Sequence, residues 1–262
     1  MQRALITLCL FVSLSVWAQQ PAATVEVTSE PHHHLVIENL FIRAYAVNVA
    51  PKETSLMHHH GHDYLSVSLG DAEILNTKQG AAPVAVKLKD GDVRFTPGGL
   101  VHAVTDTADA PFRNITIELL QPTTNQHACT ESCAVPVPCE AADKTACTTV
   151  TKLFQSDQWS VTLITMPPGA SYPKHTHLAN FLVIPLTDGD VKAREQDGPE
   201  TAAHYKAGEI SWHNPLIHSM ANAGPKPVRA VVLEFRGRPA GEGSESMGPE
   251  TKPGEHKPHD HH

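Results

Sequence analysis

The sequence lacks an excess of basic residues and, beyond its N-terminus, any long apolar run. It has 20 Lys and Arg against 28 Asp and Glu, a formal net charge of -8 with neutral histidines. Without a basic cluster the chain has no electrostatic footprint for nucleic acid, so we expect no nucleic-acid partner. No later apolar run is long enough to span a bilayer.

Short apolar stretches are separated by frequent turn residues, with 21 Pro and 16 Gly in 262 residues. This composition favours a turn-rich all-β protein over a helical bundle. The length accommodates two domains of ordinary size or one large β domain.

The N-terminus has the pattern of a signal peptide. Arg3 supplies the positive end, the apolar core 4–16 is too short for a membrane span, and Ala18 is a small residue at the expected cleavage point. We therefore predict a signal peptide over residues 1–18 and an exported protein, periplasmic or secreted, without a membrane span after processing. The alternative is a retained N-terminal anchor.

Cysteines are few, and four of the five lie close together. Cys9 falls in the predicted signal peptide, whereas Cys129, Cys133, Cys139 and Cys147 share one short segment. In an exported protein this grouping favours two disulfides, with three pairings open. A zinc knot is the alternative, but the C-x2-C spacing typical of such sites is missing.

Strand-like segments fall into two groups, separated by a Cys- and Pro-rich segment. Before the first group, Pro31 leads a polar run of three histidines that we interpret as solvated. The C-terminal tail is polar, rich in Gly, Pro and His, and expected to be disordered. The predicted divisions are a leader at 19–34, a first barrel at 35–121, a disulfide linker at 122–150, a second barrel at 151–238 and a tail at 239–262.

Each group contains a His-x-His step, His58 and His60 in the first and His175 and His177 in the second. Alternate side chains of a strand share a face, so both imidazoles of a step point the same way, about 6–7 Å apart along the strand. A lone histidine near Gly and Pro follows each step some forty residues later. These are His102 and His218. Three imidazoles with open positions are a suitable site for a reactive divalent metal.

The two groups are repeats of each other. A shift of 117 residues places His58 on His175, His60 on His177 and Gly91 on Gly208, and one deletion then places His102 on His218. The same alignment pairs Arg113 with Arg229 and Glu118 with Glu234. Agreement in gaps as well as residues indicates two similar metal-holding units.

These residues resemble the cupin superfamily, specifically the two-barrel bicupins. The second cupin motif, G-x5-P-x-G-x2-H-x3-N, is matched by Gly91, Pro97, Gly99, His102 and Asp106, with Asp in place of Asn. Gly169, His175 and His177 match the start of the first motif, G-x5-H-x-H-x(3,4)-E-x6-G. The resemblance implies two tandem jelly-roll barrels, each with one metal site.

The chain departs from the family at the fourth ligand. The motif glutamate belongs at 64 or 65 and at 181 or 182, where this sequence has Tyr64, Leu65, Phe181 and Leu182. Asp63 lies one position early and has Asn180 as its counterpart, so neither replaces the glutamate. His62 shares a strand face with His58 and His60 and is a candidate extra ligand in the first site.

Three neutral imidazoles leave the charge of the ion uncompensated and favour anionic, chelating ligands. Three-His iron sites occur in some cupin-like dioxygenases, so the resemblance implies a metal-dependent oxygenase acting on a small enol, catechol-like or diketone substrate. The alternatives are a non-catalytic metal or small-ligand binding protein and a structural relict. Fe, Mn, Zn, Cu and Ni all suit the ligands, and a homo-oligomer stays open.

No catalytic residue is evident from the sequence. His213 and Trp212 are candidates to line the second cavity, and His204 precedes them; each is more often a surface or packing residue. Glu118 and Glu234 recur on the last strand of each unit. Their recurrence suits either an ion pair with arginines such as Arg113 or a contact that orients a metal ligand.

Overall fold

The computed structural model describes residues 23–129 and 134–236, and these residues form an almost purely β structure. The predicted signal peptide, Cys133 and the predicted tail lie outside the described residues. Two single-turn 3-10 helices, Val27–Ser29 and Lys144–Ala146, interrupt the strands. Within the described ranges no helix has the length and apolarity to cross a membrane.

The first half folds into two five-stranded sheets. One has the order β1-β4-β9-β6-β7 and the other the order β2-β3-β10-β5-β8, so neighbouring strands in a sheet are mostly distant in sequence. The strands are β1 (Val25–Glu26), β2 (His33–Glu38), β3 (Ile42–Val49), β4 (His58–His60), β5 (Tyr64–Ser68), β6 (Ala72–Lys78), β7 (Val84–Leu88), β8 (Val93–Thr96), β9 (Leu100–Asp106) and β10 (Phe112–Leu119).

The second half repeats this arrangement with a seven-stranded sheet, in which β12 pairs with β13 beside the path β11-β13-β14-β21-β16-β19, and a four-stranded sheet of order β15-β20-β17-β18. The strands are β11 (His127–Ala128), β12 (Ala134–Val135), β13 (Thr149–Gln155), β14 (Trp159–Met166), β15 (Ser171–His177), β16 (Phe181–Pro185), β17 (Gly189–Glu195), β18 (Glu200–Tyr205), β19 (Ser211–His213), β20 (Leu216–Asn222) and β21 (Val228–Phe235). The predicted all-β class with two tandem barrels is confirmed.

The largest apolar cluster lies between the two barrels and draws on both of them. Strands such as β10 and β21 are buried along nearly their whole length, because one face lines a barrel interior and the other packs against the neighbouring barrel. This burial on both faces explains why β21 is apolar at all but two positions, whereas β10 has buried polar residues, Asn114 and Thr116, on the face that lines the first cavity. Members of the junction cluster are Ile42, Leu65, Ile115, Ile117, Trp159, Val161, Leu182, Ile184, Val231 and Leu233.

Equivalent glycines lie where the two barrels pack closely against each other. A Cβ added to Gly91 would lie 2.7 Å from Leu186 Cδ1, and one added to Gly208 would lie 2.8 Å from Leu69 Cδ1. Both glycines have positive φ, +80° and +81°, which disfavours any other residue at these turns. The reciprocal contacts show that the sequence repeat is also a repeat in the junction.

Two predicted boundaries differ from the structure. Residues 25–34, assigned to a loose leader, include β1 and the start of β2, which pair with β4 and β3 respectively. The segment 122–150 contributes β11 and β12, which pair with β13. Cys139 and Cys147 form a disulfide. For this pair, the predicted preference for disulfides over a zinc knot is confirmed.

Candidate metal centres

Facing strands bring the three predicted histidines of the first barrel together. His58 and His60 alternate on β4 and both point inward, each 1% exposed, while His102 on β9 is directly opposite His58 and 8% exposed. The ring centroids of His58 and His60 are 5.0 Å apart, and that of His102 lies 4.6 Å from His58 and 5.3 Å from His60. The extended backbone of β4 therefore puts both rings of the His-x-His step on one face, as predicted.

The second barrel repeats this geometry. His175 and His177 lie on β15, and His218 on β20 is directly opposite His175. The centroids are 5.1 Å apart for His175 and His177, 4.4 Å for His175 and His218, and 5.2 Å for His177 and His218. The ligand atoms of these three histidines all lie within 4.8 Å of one another.

Backbone carbonyls fix the tautomer of the first histidine in each step. His58 Nδ1 lies 2.8 Å from the carbonyl oxygen of Leu56, and His175 Nδ1 lies 2.8 Å from that of Pro173. A carbonyl oxygen only accepts, so each Nδ1 carries the proton and donates it. The unprotonated Nε2 of each ring then offers its lone pair to the barrel interior, as in metal-binding histidines.

The third histidine is held more firmly in the first barrel than in the second. His102 Nδ1 donates to Asn76 Oδ1 at 2.8 Å. The repeat places Ala193 at the position of Asn76, so the ring of His218 lacks this partner. The difference gives the first site an orienting hydrogen bond that the second site lacks.

Burial keeps these imidazoles neutral. It lowers the pKa of His58 to about 4, of His60 to about 2, of His102 to about 3 and of His218 to about 3, and it also lowers the pKa of His175. In each case neighbouring histidines add to the effect, since two adjacent cations would repel each other. Neutral rings are the form that binds a metal.

The buried nitrogen atoms fit a divalent ion. Within the described ranges His102 Nε2 and His218 Nε2 are buried and make no hydrogen bond, which is costly unless another ligand satisfies them. His58 Nε2 and His60 Nε2 are 3.1 Å apart. That separation suits two nitrogens that share an ion at about 2.0–2.1 Å.

Glu234 makes a contact that orients a ligand histidine, whereas the equivalent Glu118 does not: within the described ranges His60 Nδ1 is buried without a hydrogen-bond partner. Glu234 Oε2 is 3.3 Å from His177 Nδ1, whereas Glu118 Oε1 is 4.0 Å from His60 Nδ1. Arg43 explains the difference, because its guanidinium donates to Glu118 at 3.2 Å. For Glu118 the structure thus shows the alternative role, an ion pair with an arginine, and the arginine is Arg43 in place of Arg113.

Aromatic rings occupy the positions where the cupin motif has its glutamate. Tyr64 stacks on His60 with centroids 4.1 Å apart, and Phe181 stacks on His177 at 3.9 Å. Burial raises the pKa of Tyr64 to about 12, so its hydroxyl is neutral and a poor replacement for a carboxylate. Both rings instead restrict the rotation of the histidine on which they stack.

Each triad lies in the wall of a cavity, of about 160 Å³ in the first barrel and about 180 Å³ in the second. The two cavities differ in polarity at equivalent positions. In the first, Ser66, Asn76 and Thr116 line the space; in the second, the repeat puts Val183, Ala193 and Val232 there. The second cavity therefore suits a ligand with an apolar body.

Other candidates from the sequence lie elsewhere. His62 is exposed, so it is not an additional ligand, and Asp63 accepts a hydrogen bond from the backbone of Gly98 at 2.8 Å. Trp212 packs at the barrel junction against Phe41 and Phe235, not in the cavity. His204 is exposed and bonded to Asp190.

His213 does line the second cavity, as predicted. Its Nε2 lies 2.8 Å from the hydroxyl of Ser211, and burial lowers its pKa. Its ring stacks on Phe181 at 4.9 Å. This neutral imidazole therefore lies one ring away from the second triad.

One histidine at the first centre was missed. His33, interpreted as part of a solvated run, lies with its ring 4.7 Å from that of His58. The ligand atoms of His33, His58 and His60 all lie within 4.8 Å of one another. The repeat carries no signal for this position, because the shift of 117 that relates His58 to His175 places His33 on the apolar Val150.

Gly98 should be intolerant of any side chain. A Cβ there would lie 2.8 Å from the backbone carbon of His62 and 3.0 Å from the carbonyl oxygen of Gly61. We expect Gly98→Ala to lower the free energy of unfolding by about 1–3 kcal/mol and to displace the chain just after His60. Chemical denaturation and metal titration would measure both effects. Gly61→Ala, whose Cβ meets its nearest atom at 3.8 Å, is the control and should be close to neutral; equal behaviour of both variants would contradict the prediction.

No protein-family model and no curated protein matches the sequence. Among solved structures, AerE from Microcystis aeruginosa is similar over 79% of this chain and 99% of its own, with 12% identity and a TM-score of 0.52. A structure of oxalate decarboxylase is similar over 74% of this chain and 68% of its own, with 13% identity and a TM-score of 0.51. A structure concerned with the Mn(II) centres of Bacillus subtilis oxalate decarboxylase has the same coverage and identity with a TM-score of 0.50.

These structural similarities add to two features already described, the tandem barrels and the motif histidines that lie on facing strands. The chain has the cupin fold. At 12–13% identity the resemblance concerns architecture alone. Two groups of three histidines have ligand atoms close enough to hold a metal ion, His33, His58 and His60 in the first barrel and His175, His177 and His218 in the second.

Proposed function

We propose that this protein is an exported, metal-dependent oxygenase of the bicupin type, acting on a small molecule with an enol, catechol-like or diketone oxygen. Each barrel binds one divalent ion, and the second barrel holds the substrate. The proposed ligands are His58, His60 and His102 in the first barrel and His175, His177 and His218 in the second.

The observation that carries the proposal is the convergence of three imidazoles on an apolar cavity of about 180 Å³. A cavity of about 150 Å³ accepts a molecule the size of benzene, so this space suits a body of about one ring. Three protein ligands leave positions for an oxygen donor of the substrate and for dioxygen. A redox-active divalent ion there would polarise the substrate oxygen and provide the oxygen chemistry.

The chain's own residues bind and orient the substrate. Val183, Ala193 and Val232 exclude water and contact its apolar body. The neutral imidazole of His213 can accept a proton from an acidic hydroxyl of the substrate. Glu234 lies beside His177 Nδ1 and holds that ring in the orientation that points Nε2 at the cavity.

Oxalate decarboxylase, with which the chain shares its fold, has Mn(II) centres, and this supports a divalent ion in the barrels. The ligand type does not select one metal, since imidazole suits Fe, Mn, Zn, Cu and Ni. The Cys139–Cys147 disulfide supports an oxidising compartment, periplasmic or extracellular.

A second candidate is a metal or small-ligand binding protein without catalysis. It is favoured by the stacked aromatic rings of Tyr64 and Phe181, which replace the anionic fourth ligand of the cupin motif. Among the described residues that line the second cavity, Glu195 is the one carboxylate. The scarcity of acid–base groups suits capture of a ligand as well as its conversion.

Oxygen consumption by the iron-loaded protein with a catechol, a flavonol and a β-diketone separates the two candidates. We expect uptake of oxygen with at least one of them, and loss of that uptake in Ala193→Phe, which fills the cavity beside His218 while keeping all three ligand histidines in the chain. Ala202→Phe on the exposed face of β18 is the matched control and should behave as wild type. Binding without oxygen uptake would support the second candidate, and neither binding nor uptake would contradict both.

A further inference from the structure

His33 lies beside the imidazoles of the first centre. It is the first residue of β2, and its side chain is 6% exposed. Its ring lies 4.7 Å from that of His58 and 5.7 Å from that of His60. All four rings, including that of His102, line the same cavity.

A buried carboxylate holds His33 in place. Glu30 has a fully buried side chain, and its Oε2 lies 2.7 Å from His33 Nδ1. A carboxylate only accepts hydrogen bonds when ionised, so His33 donates from Nδ1, and Nε2 is the atom left to bind an ion. This carboxylate–histidine pair is the arrangement that orients metal ligands in proteins.

Glu30 accepts several hydrogen bonds in spite of its burial. The rings of His33 and His32 and the backbone amide of Leu56 all lie within hydrogen-bond distance of its carboxylate oxygens. The backbone amide of Leu56 donates to Glu30 Oε1 at 3.1 Å, while the carbonyl of Leu56 accepts from His58 Nδ1. Glu30 therefore positions His33 directly and His58 through Leu56.

The second barrel has no such ligand. His33 pairs with Val47 across β2 and β3, and Val150 pairs with Ile164 across β13 and β14, so Val150 occupies the equivalent backbone position. Val150 is buried and apolar, and the repeat places Cys147, which is in a disulfide, at the position of Glu30. The added imidazole and its carboxylate are thus specific to the first barrel.

We propose that the first barrel binds its ion through four imidazoles, with His33 as the fourth ligand and Glu30 as its positioning residue, whereas the second barrel binds through three. The inference rests on the proposed metal binding. Sites with four protein ligands are typically closed and structural, and sites with three keep a position open for chemistry. The first ion therefore stabilises the fold, and the second serves the reaction.

Co(II) titration of the full chain tests whether the first barrel uses four ligands. The background is the variant His175→Ala with His177→Ala, in which only the first site can bind the ion. Adding His33→Val, which copies the residue of the second barrel, should weaken Co(II) binding at least about 100-fold, since even loss of a residue behind a ligand costs about 10–100-fold. It should also change the visible Co(II) spectrum. His34→Val, at the exposed neighbouring position on β2, is the matched control and should change neither.

Glu30→Gln gives a second measurement that does not remove the imidazole. We expect Co(II) binding to weaken about 10–100-fold, with a shifted spectrum, while His58→Ala with His60→Ala abolishes it. If His33→Val and Glu30→Gln both keep wild-type affinity and spectrum, the fourth-ligand inference is wrong although metal binding stands. If wild type and His58→Ala with His60→Ala bind Co(II) equally, the proposed metal binding of this barrel fails as well.

Discussion

Replacing His175 and His177 with alanine should lower the metal content from about two ions per chain to about one. Structural zinc sites with four ligands gain about 10–16 kcal/mol, or about 3 kcal/mol per ligand, so losing two ligands should cost about 6 kcal/mol. That loss corresponds to an affinity about 10⁴-fold weaker, and the second site should be empty after dialysis. Elemental analysis of the purified chain measures the stoichiometry, and oxygen uptake should disappear with the ion.

Two further variants make this result specific. His58→Ala with His60→Ala should remove the other ion and leave one that still supports oxygen uptake. His204→Ala removes an exposed histidine outside the cavity and should leave both ions bound. Equal metal in wild type and in both double variants would place the ligands elsewhere in the chain and overturn the proposed centres.

The tandem barrels and both triads could be predicted because the signals are local and duplicated. In a His-x-His step on an extended strand both rings lie on the same face. The repeat then identifies which of the histidines in 58–62 have an equivalent histidine in the second half. The glycines at 91 and 208 recur because each supports a turn at positive φ against the other barrel. Backbone geometry and repetition, both legible in a sequence, determine these features.

His33 and Glu30 could not be predicted in the same way, because their contact with the first centre depends on tertiary structure. A polar segment led by Pro31 has the composition of a solvated run. Only the pairing of β1 with β4 and of β2 with β3 buries it beside His58. Burial of a carboxylate with all its hydrogen bonds satisfied leaves no trace in composition.

The role of the aromatic residues was also beyond the sequence. The missing glutamate was evident at Tyr64 and Phe181, but not that each ring would stack on a ligand histidine. Trp212 was a candidate to line the second cavity because, like His213, it lies just before His218. Strand alternation sends neighbouring side chains to opposite faces, so the inward direction of His213 requires Trp212 to face the junction.

Trp159→Ala should produce the largest loss of stability among single substitutions at the barrel junction. The side chain is 1% exposed, and its ring stacks on Phe95 of the first barrel with centroids 5.9 Å apart. Truncation of a buried tryptophan typically costs about 3–5 kcal/mol, because it loses transfer free energy and leaves a cavity. Urea denaturation followed by circular dichroism would measure the change in the free energy of unfolding.

Trp159 should also couple the unfolding of the two barrels. Since its ring joins residues of both barrels in one apolar cluster, its removal should uncouple them and turn one unfolding transition into two. Phe112→Ala is the control, because Phe112 is similarly buried but packs in a cluster that belongs to the first barrel alone. It should destabilise by a comparable amount without separating the barrels. A single transition in Trp159→Ala, with a loss below about 1 kcal/mol, would show that the junction does not couple the two halves.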